Sequence, residues 1–374
     1  MDKHIIEILS KIEDSGFEAY VVGGYVRDYL LGKDTKDIDI CTNARVVDLV
    51  DIFSTYDIVS NNYGAVKFTY NDFKFDITTY REDVKYNGNR RNLEVKYIDN
   101  LMEDIKRRDF TCNSLCMSKE GNIIDIVDGK KDIDDKVIRC IGDIDSKLME
   151  DPLRILRAIR FATTLDFKIE ENLFNKIREH REELSNLSKE RIKEELVKIL
   201  VSKHALKGLS YIKRLKLNSI IGIEYDKVKK VSDICGMLSQ IEFIDTYPFT
   251  VEEKKNIESI KLIVESKTIN KYTIFNYGLY ISIVAGEILG ISKKEITKLD
   301  KELVIKSMKD INISGNEITK ILNIKPSKIM RDIYKEITDL IINEKLENDN
   351  EVIKNYIFNN RKKWVNGEKG VKKK

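Results

Sequence analysis

The chain has 374 residues, with 66 Lys and Arg against 63 Asp and Glu, a formal charge of only +3. Hydrophobic residues make up 42% and charged residues 34%, which suits packed cores and excludes a disordered chain, while 18 Gly and 3 Pro exclude collagen-like or proline-rich architectures. The length implies several domains.

Residues 1–15 mix charges with Ile5, Ile6, Ile8, Leu9 and Ile12 at helical spacing, which predicts an amphipathic helix and not a signal peptide. Up to about Gly142, short β-patterned runs alternate with turns and short helices. Glu18 to Val22, Asp37 to Cys41, Ala65 to Tyr70, Phe73 to Thr79 and Glu94 to Ile98 read as strands of one mostly antiparallel sheet, with Asn71-Asp72 as a tight hairpin turn. Helices are expected after Gly24, after a cap at Thr42 or Asn43, and after Asp99. Beyond Gly142 helical periodicity takes over, as in Asp151 to Thr164, Ser188 to Val201 and Ile318 to Asn343, so an α+β head precedes an all-helical remainder. Tyr272 to Ile291, interrupted by Asn276 and Glu287, reads as a buried helix and not a membrane span. The five cysteines include no Cys-x-x-Cys pair and the three histidines lie far apart, so a zinc cage is not expected and the thiols read as reduced and packed. From Arg361 to Lys374 seven basic residues and one acid make a +6 tail, either a handle for nucleic acid or a solvated chain end.

The chemistry-bearing segment is Tyr20 to Gly32 followed by Asp37-Ile38-Asp39-Ile40. Gly23-Gly24 after a β-run and before a helix marks a turn, and such a turn also lets the backbone approach a phosphate, with Arg27 one turn inside the helix. With a strand period of two, Asp37 and Asp39 project from one face while Ile38 and Ile40 face the core. Paired carboxylates suit Mg²⁺ and two-metal phosphoryl chemistry, and Asp76, between Phe75 and Ile77, is the candidate third carboxylate. A Rossmann oxidoreductase is disfavoured because the third glycine of its fingerprint is missing and a hairpin replaces parallel βαβ units.

Gly-Gly-Tyr-Val-Arg-Asp with Asp-Ile-Asp, then Arg107 to Asn113, then Glu150-Asp151-Pro152-Leu153-Arg154-Ile155-Leu156-Arg157-Ala158-Ile159-Arg160-Phe161, resembles the class II tRNA nucleotidyltransferase and poly(A) polymerase family. Glu190-Arg191-Ile192 and Glu194-Glu195-Leu196 resemble a further helical motif, and residues 310–343 resemble its helical tail. The resemblance implies a polymerase-β-like nucleotidyltransferase head with a mixed, mostly antiparallel sheet (1–142), a neck that recognises the base (143–202), a body (203–270) and a tRNA-binding tail (271–374). It also implies metal-binding Asp37 and Asp39 with Asp76 completing the catalytic carboxylates, a triphosphate at Gly24 and Arg27, and ribose and phosphate contacts at Arg108 and Asp109.

Asp151 and Arg154, three apart on an expected helix, would converge on one base edge. An acceptor beside a donor fork fits the amino group and ring nitrogen of cytosine or adenine and opposes the carbonyl of guanine or uracil. The resemblance adds Arg157 and Arg160 to the nucleotide contacts, although a helical wheel sets Arg160 half a turn from Asp151. The implied activity is template-independent addition of C, C and A to tRNA 3′ ends from CTP and ATP, in the cytoplasm, without an obligate protein partner. A-only addition, poly(A) synthesis and a non-catalytic RNA-binding protein on the same scaffold are the alternatives. Asp83 to Val95 resembles the loop associated with adding the terminal A, with Asn92 where proline is usual, and Asn62 to Phe68 looks more like the CCA-adding than the poly(A) type.

Overall fold

The computed structural model describes residues 1–61, 64–83 and 95–365. Most of the 83–95 segment and the tail beyond 365 lie outside the described residues. Two compact units are present, Met1–Glu224 with Phe243–Pro248, and Tyr225–Glu242 with Phe249 onward.

The first unit begins with α1 (Lys3–Asp14), capped by the Asp2 side chain, which accepts from His4 N; Ile5, Ile8, Leu9 and Ile12 are buried, as their spacing predicts. There follow β1 (Ala19–Val22), α2 (Gly24–Leu30), β2 (Asp37–Thr42), α3 (Val46–Ile52), β3 (Val59–Asn61), β4 (Ala65–Tyr70), β5 (Phe73–Thr79), β6 (Arg81–Asp83), β7 (Val95–Tyr97) and α4 (Leu101–Lys106). Next come β8 (Cys116–Met117), β9 (Ile123–Ile124), α5 (Gly129–Asp134), β10 (Val137–Ile138), α6 (Ile144–Glu150), α7 (Leu153–Thr164), β11 (Lys168–Ile169), α8 (Glu171–His180), α9 (Lys189–Val201), α10 (Ala205–Arg214) and α11 (Asn218–Ile221).

Seven strands form one sheet in the order β3-β4-β5-β2-β1-β8-β9. Only β2 and β5 run parallel, so the sheet is mixed and mostly antiparallel. The β4–β5 hairpin turns at Asn71 and Asp72, both at positive φ (47° and 68°), as a tight two-residue turn requires. Register then sets two rows on one face, Asp37–Lys74–Thr69 and Asp39–Asp76–Lys67, across β2, β5 and β4. Ile38, Phe75 and Phe68 pair on the opposite, buried face.

Three local expectations need correction. The strand expected at Glu94 to Ile98 is β7, and it pairs with β6 in a separate two-stranded sheet. The helix after β2 is capped neither by Thr42 nor by Asn43: Asp48 accepts from Arg45 N, while Thr42 Oγ1 serves Ala44 N in the preceding turn. Asn100, not Asp99, caps α4 by accepting from Met102 N and Glu103 N. Small polar residues cluster at such boundaries, and the backbone path selects which of them faces the open N–H groups.

The second unit is helical, with α12 (Ile234–Leu238), α13 (Val251–Ser266), α14 (Lys271–Leu289), α15 (Lys293–Lys301), α16 (Gly315–Leu322), α17 (Ile329–Ile342), α18 (Asn350–Asn359) and α19 (Arg361–Val365). The run Tyr272 to Ile291 falls on α14, opened by an Asn270–Thr273 capping box and broken at Gly278, whose φ of 81° and ψ of 162° are not helical. Its Ile274, Ile281, Val284 and Ala285 are buried, whereas Tyr280 is exposed. The helical periodicity of Ile318 to Asn343 is carried by two helices, α16 and α17, because Asn323 takes a left-handed φ of 52° and Pro326 follows. Among the described residues no helix is long and apolar enough to cross a membrane, and all five cysteines are free and buried.

Candidate active site

The first part of the site is the carboxylate face of the sheet. Asp39 and Asp76 are Cα partners across the parallel β2–β5 pair, and Lys67 is the antiparallel partner of Asp76. Asp37 and Asp39 are accessible, while Asp76 is half-buried. Lys67 Nζ forms an ion pair with Asp76 Oδ2, and Asp76 Oδ1 is buried without a hydrogen-bond partner. Although the Asp39 side chain reaches solvent, the protein packed around its carboxylate raises its pKa, and the charge of Asp76 adds to the rise; Arg108 and Lys67 act in the opposite sense.

The turn from β1 to α2 closes one edge of this face. Gly23 has φ 78° and ψ −130°, and a Cβ there would lie 3.3 Å from Asp39 Oδ2. The turn therefore requires glycine for its conformation and for its approach to the carboxylate. One turn inside α2, Arg27 is buried, its Nε and Nη2 donating to the Asp28 carboxylate at 3.0 Å each and its Nη1 to Asn113 Oδ1 at 2.5 Å.

The Arg107 to Asn113 segment connects the head to α7. Asp104, 1% exposed, accepts from Arg107 Nε at 2.8 Å and Arg108 Nη2 at 2.9 Å. Burial alone would raise the Asp104 pKa, but the two arginines outweigh it and hold it below the ordinary range. Burial would likewise lower that of Arg108, and Asp104 reverses this, which keeps the guanidinium charged. Asp109 Oδ2 accepts from Arg157 Nε at 2.7 Å, a bond that joins the segment to α7 across 48 residues.

Along α7, Arg157 and Arg160 lie over the Phe161 ring, with guanidinium carbons 5.5 and 3.8 Å from its centroid, and Arg27 approaches it to 5.9 Å. Three of the arginines named from sequence thus converge on one aromatic ring. Burial, more than the like charge of Arg157, lowers the Arg160 pKa against the pull of Glu195, to which Arg160 Nε donates at 2.6 Å.

Asp151 is not on the helix. It has an extended backbone (φ −144°, ψ 93°) between α6 and Pro152, and its Oδ1 accepts from Leu153 N at 3.3 Å and from Arg191 Nη2 at 2.8 Å. Arg154 Nη1 donates instead to Lys147 O at 2.8 Å and to Glu150 Oε2 at 3.1 Å. The helical wheel that pairs Asp151 with Arg154 and opposes it to Arg160 therefore fails at its first position: Pro152 is the N-cap of α7, so Asp151 stands outside the helix.

Three family models match consecutive parts of the chain: a poly(A) polymerase head domain over 19–139, a probable RNA and SrmB binding site of polymerase A over 166–221, and a putative tRNA nucleotidyltransferase domain 2 over 238–357. The CCA-adding enzyme of Ligilactobacillus salivarius is 32% identical over 94% of this chain and 95% of its own length. The chain belongs to the CCA-adding enzyme family. The CCA-adding enzyme of Staphylococcus aureus (strain MRSA252) is 29% identical over 97% of this chain and all of its own. The fold is that of the Bacillus stearothermophilus CCA-adding enzyme solved with CTP, at TM-score 0.84, 21% identity and coverage of 98% and 100%. It is also that of the Thermotoga maritima enzyme solved with tRNA_CCA, at TM-score 0.67, 20% identity and 96% coverage of both chains.

Family membership implies a divalent metal, and the chain's donors fit one: the row Asp39–Asp76 brings like charges together and leaves a buried carboxylate oxygen without a partner. Among the described residues, the one acid and histidine trio with ligand atoms within 4.8 Å is elsewhere, at Asp145, Glu179 and His180, where Lys176 neutralises both acids at 3.0 Å.

Sequence reasoning left Asn113, Phe161, Arg191, Asp104 and Lys67 out of the candidate set. Asn113, Phe161 and Arg191 sit inside the motifs that suggested the family, but which partners they meet depends on contacts far along the chain, such as Arg27 with Asn113 and with the Phe161 ring and Asp151 with Arg191. Lys67 had a local signal: it stands four positions before Asn71 as Asp76 stands four after Asp72, so a two-residue turn must pair them.

Proposed function

We propose that this chain adds C, C and A to the 3′ end of tRNA from CTP and ATP, releasing pyrophosphate, with Mg²⁺ held by Asp37 and Asp39 and with Asp76 completing the carboxylate set. The observation that carries this reading is the Asp39–Asp76 row set against the Gly23 turn, within a chain of the CCA-adding enzyme family. When bound, the metal supplies activation of the attacking 3′-hydroxyl and charge neutralisation on the departing pyrophosphate.

The chain's own side chains supply position. Gly24 and Arg27 receive the triphosphate at the α2 end of the carboxylate face. Arg108, kept charged by Asp104, and Asp109, steadied by Arg157, contact phosphate and the ribose 2′-hydroxyl. Arg157 and Arg160, stacked with Phe161, line the nucleotide's path. Asp151 accepts from the amino group of C or A while Arg154 donates to the ring nitrogen, so each exchanges a present partner, Arg191 or Glu150, for the base edge. Residues 1–142 carry the chemistry, 143–202 read the base, 203–270 form a helical body and 271–374 hold the tRNA, in the cytoplasm.

The test offers the protein three tRNA transcripts, ending at the discriminator, after C and after CC, with each nucleotide separately and together. Sequenced products ending in CCA from every transcript are expected. Products ending at CC, A addition restricted to the CC transcript, or long A tracts would replace this reading with CC-only, A-only or poly(A) synthesis.

A further inference from the structure

The row on the open face of the sheet does not end in a carboxylate. It runs Asp39, Asp76, Lys67, and the lysine is placed by the hairpin register and bonded to Asp76 Oδ2. The neighbouring row runs Asp37, Lys74, Thr69, so three acids and two lysines share this face, and Lys67 is the lysine in the row of Asp39 and Asp76. The Lys67 side chain is 54% exposed, and no other described carboxylate forms an ion pair with it. Its ammonium thus neutralises one of the two acids that crowd together in its row.

We propose that Lys67 is a built-in counter-cation of the metal site, a positioning residue that holds Asp76 through one oxygen and competes with the divalent ion for the charge of the Asp39–Asp76 pair. This rests on the metal assignment made above. With Lys67 present the row carries a net charge of about −1, and without it about −2, so removing the lysine strengthens the attraction for a divalent cation at Asp37 and Asp39. The effect is that of an exposed pair, about a two- to fivefold change in affinity.

Titration of the purified full-length chain with Mn²⁺, followed by the electron paramagnetic resonance signal of the free ion, reads this directly and without turnover. Lys67→Met and Lys67→Gln are expected to bind Mn²⁺ more tightly than the original chain, and Lys67→Arg to bind it equally. Unchanged or weaker binding by either neutral variant, with a melting transition showing it folded, overturns the inference and leaves the CCA-adding reading intact. Asp39→Asn, titrated in parallel, is expected to abolish the site. If Mn²⁺ binding in the original chain does not depend on Asp39, the metal assignment itself falls, whatever the lysine variants do.

Discussion

The carboxylate face and the arginine-rich surroundings of α7 handle charge in opposite ways. On the sheet, the acids are accessible or half-buried, Asp76 keeps an unpartnered oxygen, and one lysine offsets part of the charge. Around α7 the charges are mostly buried or half-buried, Glu150 excepted, and committed: Arg157 to Asp109, Arg160 to Glu195, Asp151 to Arg191 and Arg154 to Glu150. On the function proposed above, the face that receives a cation keeps its acids under repulsion, because the ligand brings the compensating charge. On the same reading, the surface that discriminates among bases holds its polar groups with internal partners that a base edge would replace. The first arrangement costs stability without its ligand; the second costs an exchange of hydrogen bonds on binding.

Asp39→Asn breaks the first arrangement and has the largest expected effect. Incorporation of C onto a tRNA transcript is expected to fall by about a thousandfold or more. Stability moves the other way. Because the Asp39 pKa is raised in the folded state, the native carboxylate contributes most below the ordinary carboxylate pKa and loses that contribution as pH rises through the raised value. The variant is therefore expected to melt higher than the original chain at pH 7, with the gap closing in acid.

Asp104→Asn tests whether commitment extends beneath the site. It leaves Arg107 and Arg108 with an uncharged partner in a buried setting, so denaturant titration is expected to show a loss of about 3 kcal/mol or more. The Asp104 pKa is lowered, so its contribution is present above the ordinary carboxylate pKa and is lost as pH falls through the depressed value. The difference between variant and original chain should thus shrink only in strong acid.

Asp151→Asn sharpens the account of the second arrangement. An amide can present either its oxygen or its NH₂, so the ratio of C and A incorporation to U and G incorporation is expected to fall by about tenfold or more in single-nucleotide assays. An unchanged ratio would remove Asp151 from base reading. Gly23→Ala, the smallest expected effect, places a Cβ 3.3 Å from Asp39 Oδ2 at a left-handed φ and should cost about 1–2 kcal/mol in thermal or denaturant unfolding.

Much of the head was legible because its signals are local. The Asp-x-Asp period put Asp37 and Asp39 on one face, Asn71-Asp72 turned the hairpin, and the isoleucine spacing of α1 matched its buried stripe. Helix boundaries were less legible. The helical pattern places Asp151 on α7, yet Pro152 is the cap of that helix and Asp151 before it is extended. The apolar spacing of residues 318–343 continues through the Asn323 and Pro326 break that separates α16 from α17, so periodicity alone does not mark that boundary.

By itself the sequence determined the α+β head, the helical remainder, the carboxylate pair and the family, since periodicity, turn chemistry and motif spacing all lie within short stretches of chain. Only the tertiary structure decided which charged and polar groups face one another: Arg27 with Asn113, Asp109 with Arg157, Asp151 with Arg191. Those partners are separated by 40 to 86 residues, and burial rewards whichever complementary donors and acceptors the folded backbone brings within reach, a choice that no local pattern encodes.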